Sequence, residues 1–430
     1  MMTFRDYPEL GECIYSGVLE NGLAVYVMPK KDYVKTFAAF ATRYGGSDCR
    51  FKLGDEFVET PAGIAHFLEH KMFDMPDGKD AMTELSALGA SPNAFTGPDT
   101  TCYIFSCTDR LDESLRVLLD FVMTPYFTDA SVAKEQGIIG QEIRMCEDNP
   151  SHAVFENLLR AMYSEHPVRI SVPGTVESIA EITPRTLYDC HKVFYNPSNM
   201  VLAVAGRVDP EAVFEAARET VTAEAGDIPV RDADFSEGPL AASGRISKEM
   251  DVSIPTYLIG FKLDPDPAGG EALFRQNLLA ELAMDYLAGP SSGLYARLYE
   301  QGLINDSFGC GVGDEAGALY AYISAEGENC DAVAAEILKE ADALGASGGD
   351  ADYFERLKRS GIGGTLRALN SPEACCMLMI NSHFFGYDAM TELNVINSFS
   401  EEEVLAFMKE NIISEKMTLS VIEPIKKVKT

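Results

Sequence analysis

A chain of 430 residues exceeds what one ordinary hydrophobic core organises, so two or more domains are expected. Its hydrophobic share of 46% and charged share of 24% fit a soluble globular protein. The formal net charge of −32 argues against nucleic acid or an anionic membrane as partner, because both select clustered Lys and Arg.

The opening stretch Met1–Leu23 is broken by Asp6, Glu9, Glu12 and Glu20 and has no apolar signal core. No run of about 18 apolar residues follows, so no transmembrane helix is expected, and the cytoplasm is the simplest compartment. Val18–Leu19 and Leu23–Val27 flank Glu20-Asn21-Gly22, a tight-turn signal that predicts a hairpin. A strand over Thr36–Tyr44 comes next, then helices over Pro61–Phe73 and Met82–Leu88, and a β-rich strand over Thr101–Cys107. Helices are expected over Leu111–Met123, Ser131–Cys146, Ala153–Tyr163, Pro184–Phe194 and Pro210–Ala216, with a strand at Met200–Ala205. Between Val221 and Gly244 the pattern fades into Ala, Gly, Asp, Pro and Ser, as in a linker.

Beyond it the programme restarts: strand Thr256–Phe261, helix Gln276–Leu287, strand Ala318–Ser324, helix Ala332–Leu344. Strands and helices mix without strict alternation, which favours α+β over a doubly wound fold. Ile182-Thr183-Pro184, a helix, then Met200-Val201-Leu202 resembles Phe399-Ser400-Glu401, a helix, then Met417-Thr418-Leu419. Thr183 and Ser400 read as helix N-caps. The economical division is two related domains, 1–222 and 245–430, joined by a linker at 223–244.

Chemistry concentrates in His66-Phe67-Leu68-Glu69-His70, the inverted form of the zincin motif. On a helix, residues three and four apart share a face, so the two imidazoles and the carboxylate project together. Imidazoles one turn apart suit a nitrogen-preferring divalent metal, zinc above all. Glu69 is placed to take a proton from water at that metal. The bland alternative is a pair of structural histidines, yet two of only six histidines fall here. Downstream, Glu135, Ile138, Ile139 and Glu142 form one stripe of the helix Ser131–Cys146. The isoleucines predict that this face is buried, and a buried carboxylate needs either a metal or a salt bridge. Glu142 as a third ligand and Glu135 orienting a ligand histidine explain both carboxylates together. Ten cysteines without a C-x-x-C pair suggest no ribbon or redox site.

These residues, in this order, resemble the pitrilysin/insulinase family of zinc metallopeptidases, particularly the shorter members related to mitochondrial processing peptidase. The resemblance implies two similar α+β domains of mixed sheet with packed helices, the LuxS/MPP-like metallohydrolase fold. It implies one Zn2+ held by His66, His70 and Glu142, with Glu69 as base and Glu135 supporting. Ser91-Pro92-Asn93-Ala94-Phe95-Thr96 resembles the family's segment leading into a substrate-binding edge strand, which makes Asn93 and Ala94 substrate contacts; a plain turn role for Asn93 stays open. Phe194–Met200 and Ser291–Glu300 resemble further family segments. The second-half helix Gln276–Leu287, matching the metal helix, has no histidine.

Active members place an Arg and, seven residues later, a Tyr in the second half. Here Arg297 is followed at that offset by Ile304, with Tyr295 and Tyr299 at other spacings. Arg297 therefore reads as a substrate contact or as a salt-bridged helix residue. The resemblance implies a zinc-dependent endopeptidase with peptide or unfolded-segment substrates, and the missing Tyr leaves open a low-activity or structural metal-binding subunit of a heterodimeric processing peptidase. It also implies a homologous partner lacking the metal motif in a heterodimer, or a homodimer.

Overall fold

Two strand ladders with one pairing pattern organise the residues that the computed structural model describes, 2–231 and 237–426. Residues 232–236 of the expected linker, and Met1 and 427–430 of the expected domains, lie outside the described residues.

The first sheet runs in the order β1 (Thr3–Tyr7), β2 (Glu12–Val18), β3 (Ala24–Pro29), β9 (Met200–Gly206), β4 (Thr36–Thr42), β8 (Thr101–Cys107), β7 (Ser91–Thr96). A separate two-stranded ribbon pairs β5 (Arg50–Leu53) with β6 (Glu56–Glu59). The expected hairpin forms between β2 and β3, with Gly22 at φ 88° in the turn. β4 and β9 are buried along their whole length, which is why their sequences read as apolar runs and not as alternations. Alternate residues of β4 feed two cores: Ala38 and Phe40 one, Phe37, Ala39 and Ala41 the other. The first core includes Ile64, Phe67, Leu68 and Met72 of helix α1 (Ile64–Met72), and Val132, Ile139 and Ile143 of helix α2 (Asp129–Glu147). The second is closed by Cys375, Cys376, Met379 and Ile380 of the helix Pro372–Phe385.

The other sheet runs β10 (Arg245–Met250), β14 (Met417–Pro424), β11 (Thr256–Leu263), β13 (Ala318–Glu326), β12 (Gly309–Glu315). Here β10 pairs parallel with β14 and the rest pair antiparallel. The segment β3-β9-β4-β8-β7 has the same sequence of one parallel and three antiparallel pairings. Helix α3 (Gly270–Ala288) covers one face, with Leu278, Ala283 and Leu287 against Ile259, Leu319 and Ile323. The helix Pro150–Met162 covers the other through Val154, Leu158 and Met162. It lies so close that a side chain on Gly260 would meet Met162 Cε at 2.6 Å.

The repeat seen in the sequence has its counterpart in the caps. Thr183 accepts from the Thr186 N–H, and Ser400 from the Glu403 N–H, each completing a capping box before a strand that begins at Met200 or Met417.

The compact units do not follow the linear division at 222 and 245. One comprises Met1–Ile143, Ser171–Ala233 and Leu366–Met390, the other Arg144–Ile170, Asp234–Thr365 and Thr391–Thr430. Each sheet has two apolar faces, and the helices of its own half cover only one. The helix Pro150–Met162 of the first half closes the second sheet, and Pro372–Phe385 of the second half closes the first. Among the described residues no helix is long and apolar enough to cross a membrane.

Candidate metal centre

The site is built on α1. Its expected start at Pro61 is delayed to Ile64, because Gly63 stands at φ 91°, a left-handed conformation that cannot propagate a helix. A Cβ at Gly63 would also come within 2.4 Å of the Pro173 carbonyl oxygen, so only glycine fits. From this start, α1 turns its apolar residues into the core and leaves His66, Glu69 and His70 together on the face toward α2 and β7.

Nε2 of His66 lies 3.5 Å from Glu142 Oε1, and Nε2 of His70 lies 3.5 Å from Glu142 Oε2. The two imidazole centroids are 4.7 Å apart. A tetrahedral ion with bonds of about 2.0–2.1 Å sets its ligand atoms about 3.4 Å apart, so the donor set fits zinc by spacing as well as by type. Among the described residues this is the one group of three or more His, Cys, Asp or Glu whose ligand atoms all lie within 4.8 Å of one another. His66 Nδ1 is buried and has no hydrogen-bond partner among the described residues, so no second hydrogen bond explains the burial of this ring.

Glu135 accepts from His70 Nδ1 at 3.1 Å, which turns the other nitrogen of that ring toward Glu142. Burial works against the His70 imidazolium, but Glu135, Glu69 and Glu142 outweigh it and raise the histidine above its ordinary value. A hydrogen bond from His66 holds the Glu142 carboxyl below the usual carboxylate range, against its partial burial. Glu69 is 8% exposed, and its Oε2 accepts a 2.6 Å hydrogen bond from the Thr96 hydroxyl.

The stripe expected on α2 is partly corrected. Ile139 is fully buried, whereas Ile138 is 47% exposed. Successive residues are about 100° apart round the axis, and Ile138 falls on the solvent side of the Glu135–Glu142 line. Asn93 and Ala94 lie on β7, which among the described residues pairs with β8 alone and forms the sheet edge. Strand alternation puts Ala94 and Thr96 on the side of Glu69 and Asn93 on the opposite side. Arg297 belongs to the second unit, in the helix Gly293–Glu300, where its Nη2 bonds Glu340 Oε2 at 2.6 Å. Ile304 is buried in that unit's core. Thr96 was legible only as part of a segment; its period-two relation to Ala94 is the signal that could have singled it out.

Two family models match the chain: insulinase (peptidase family M16) over residues 57–176, and the peptidase M16 inactive domain over residues 181–360. The uncharacterized zinc protease YmfH of Bacillus subtilis (strain 168) is 38% identical over 427 residues, covering 97% of this chain and 98% of that protein. An uncharacterized zinc protease of Rickettsia bellii (strain RML369-C) is 27% identical over 336 residues, 75% of this chain and 76% of that one. The crystal structure of an M16-like peptidase from Alicyclobacillus acidocaldarius superposes with a TM-score of 0.91 at 32% identity, covering 99% of both chains. A protease from Helicobacter pylori shares the fold, with a TM-score of 0.83 at 18% identity over 95% of this chain and 99% of that one.

Proposed function

The chain belongs to the insulinase family of peptidases, family M16, and on that premise we propose that it is a zinc-dependent endopeptidase acting on peptides or unfolded segments. The observation that carries this reading is the convergence of two Nε2 atoms on one carboxylate, 3.5 Å from each, with a buried glutamate on the same helical face. When bound, zinc supplies Lewis acidity toward the scissile carbonyl and makes water acidic enough to deprotonate near neutral pH. His66, His70 and Glu142 would hold it. Glu135 fixes the tautomer of His70 by accepting from Nδ1. Glu69 takes the proton from the attacking water and delivers it to the leaving nitrogen. The open edge of β7, at Asn93 and Ala94, takes the substrate backbone as an added strand. Ten free cysteines support a reducing compartment, the cytoplasm.

A specific observation favours a second component. Ile304 is buried at the offset where the family resemblance implies a Tyr, and Arg297 is already paired with Glu340. We therefore propose that the chain works beside a homologous subunit without the metal motif, or failing that as a homodimer, and is slow alone.

The test is turnover of a quenched peptide library by the zinc-loaded chain, with and without that homologue. Zinc-dependent cleavage supports the reading, and no cleavage in either state removes it. Stimulation by the homologue supports the partner, and full activity as a dilute monomer contradicts it.

A further inference from the structure

We propose that Thr96 is a positioning residue: its hydroxyl fixes the bearing of the Glu69 carboxylate and ties that bearing to the edge strand β7. The proposal rests on the peptidase reading above. Glu69 and Thr96 come from different elements, a helix and a strand, and meet through one short bond of 2.6 Å. That length is in the range of hydroxyl donors to ionised carboxylates. Among the described residues, Thr96 makes the one hydrogen bond that reaches the Glu69 carboxylate. The terminal torsion of a glutamate is broad and two-fold, so without this anchor the carboxylate would turn between orientations.

Thr96 is itself held. It is β-branched and stiff at χ1. Its register partner on β8 is Thr101, fully buried, whose Oγ1 lies 3.3 Å from Thr96 Oγ1 and 2.8 Å from the carbonyl of Tyr44. The direction of the base therefore comes from the β7–β8 pair and not from α1 alone. Because β7 is the outer strand of its sheet, a peptide added to that edge would bear on the strand that aims Glu69.

The experiment compares Thr96→Val, which removes the hydroxyl at nearly constant shape, with Thr96→Ser, which keeps it. The full zinc-loaded chain is assayed for kcat, KM, zinc affinity by chelator competition, and melting temperature. The expected result for Thr96→Val is a kcat lower by about 10- to 100-fold, the scale of an ångström of misplacement. KM and zinc affinity should stay within about twofold, and Thr96→Ser should recover most of kcat. In a Glu69→Gln background, Thr96→Val should cost nothing further, since the group it aims is gone. An unchanged kcat in Thr96→Val, zinc loss that parallels the kcat loss, failure of Ser to rescue, or an additive double variant would each overturn the proposal alone. A zinc-loaded wild-type chain with no turnover overturns the peptidase reading, and this proposal with it.

Discussion

Helices α1 and α3 occupy the same place in the chain order of two equivalent ladders, α1 between β4 and the edge strand β7, α3 between β11 and the edge strand β12. Both keep a polar link to that edge strand. In the first unit Thr96 donates to Glu69, and in the second Asn277 Nδ2 approaches Asp314 Oδ2 at 3.4 Å. What differs is the donor set. α1 carries His66 and His70 one turn apart, and α3 carries Glu281 and Asp285 at the same spacing with no histidine on the helix. Among the described residues only the α1 site gathers three His, Cys, Asp or Glu ligand atoms within 4.8 Å of one another. The frame is thus shared and the chemistry is not. The same ladder recurs without the same donor set, so the side chains of α1 and α2, not the ladder itself, decide whether a metal could sit there.

The sharpest way to break this comparison is to remove the acid–base group from each helix in turn. Glu69→Gln should retain zinc and lower peptide turnover by about 10²- to 10⁴-fold, while Glu281→Gln should stay within about twofold of wild type. Equal losses in the two variants would show that the second helix shares the chemistry. Next in size is the support for His70. Glu135→Gln should weaken zinc binding by about 10- to 100-fold, measured by competition with a chromophoric chelator; unchanged affinity would remove Glu135 from the site.

The helix starts sharpen the comparison further. Gly63→Ala places a side chain at φ 91° and against the Pro173 carbonyl, and should destabilise the first unit by about 2 kcal/mol. Gly293→Ala, at the first residue of a second-unit helix with open space around it, should stabilise by about 0.5 kcal/mol. Denaturant titration would read both.

A further contrast is in acid. Burial pushes the His191 imidazole down to about 4, offset only in part by its bond to the Val122 carbonyl. Its folded value lies below the ordinary one of about 6.5, so the unfolded chain binds the proton first. First-unit stability should then fall as pH drops from about 6.5 to about 4. Burial tends to raise Glu237 in the second unit, but the Lys262 ammonium and the N–H groups of Glu165 and His166 outweigh it and hold the carboxyl at about 2. Its contribution is present above about pH 4.5 and is lost toward pH 2. Hydrogen exchange followed peptide by peptide should show the first unit loosening before the second. The reverse order would contradict this assignment.

Much of this was legible in the sequence because it is local. The spacing within His66–His70, the apolar runs of β4 and β9, and the caps at Thr183 and Ser400 all express the periodicity of one element. What was not legible depends on distant neighbours. Nothing in the apolar face of the helix Pro150–Met162 says which sheet it covers, and the same holds for Pro372–Phe385. The delayed start of α1 follows from the Pro173 carbonyl, more than a hundred positions from Gly63. Ile138 and Ile139 are equally apolar, and only the docking of α2 separates the exposed one from the buried one. The Thr96–Glu69 bond needs a helix and a strand packed side by side, which no spacing predicts.

Whether the first repeat alone builds a metal centre is read by anomalous diffraction at the zinc edge on crystals of the zinc-loaded chain. A single peak per chain is expected, about 2.0–2.2 Å from His66 Nε2, His70 Nε2 and a Glu142 oxygen. A peak beside Glu281 and Asp285, or none at the α1 site, would contradict that.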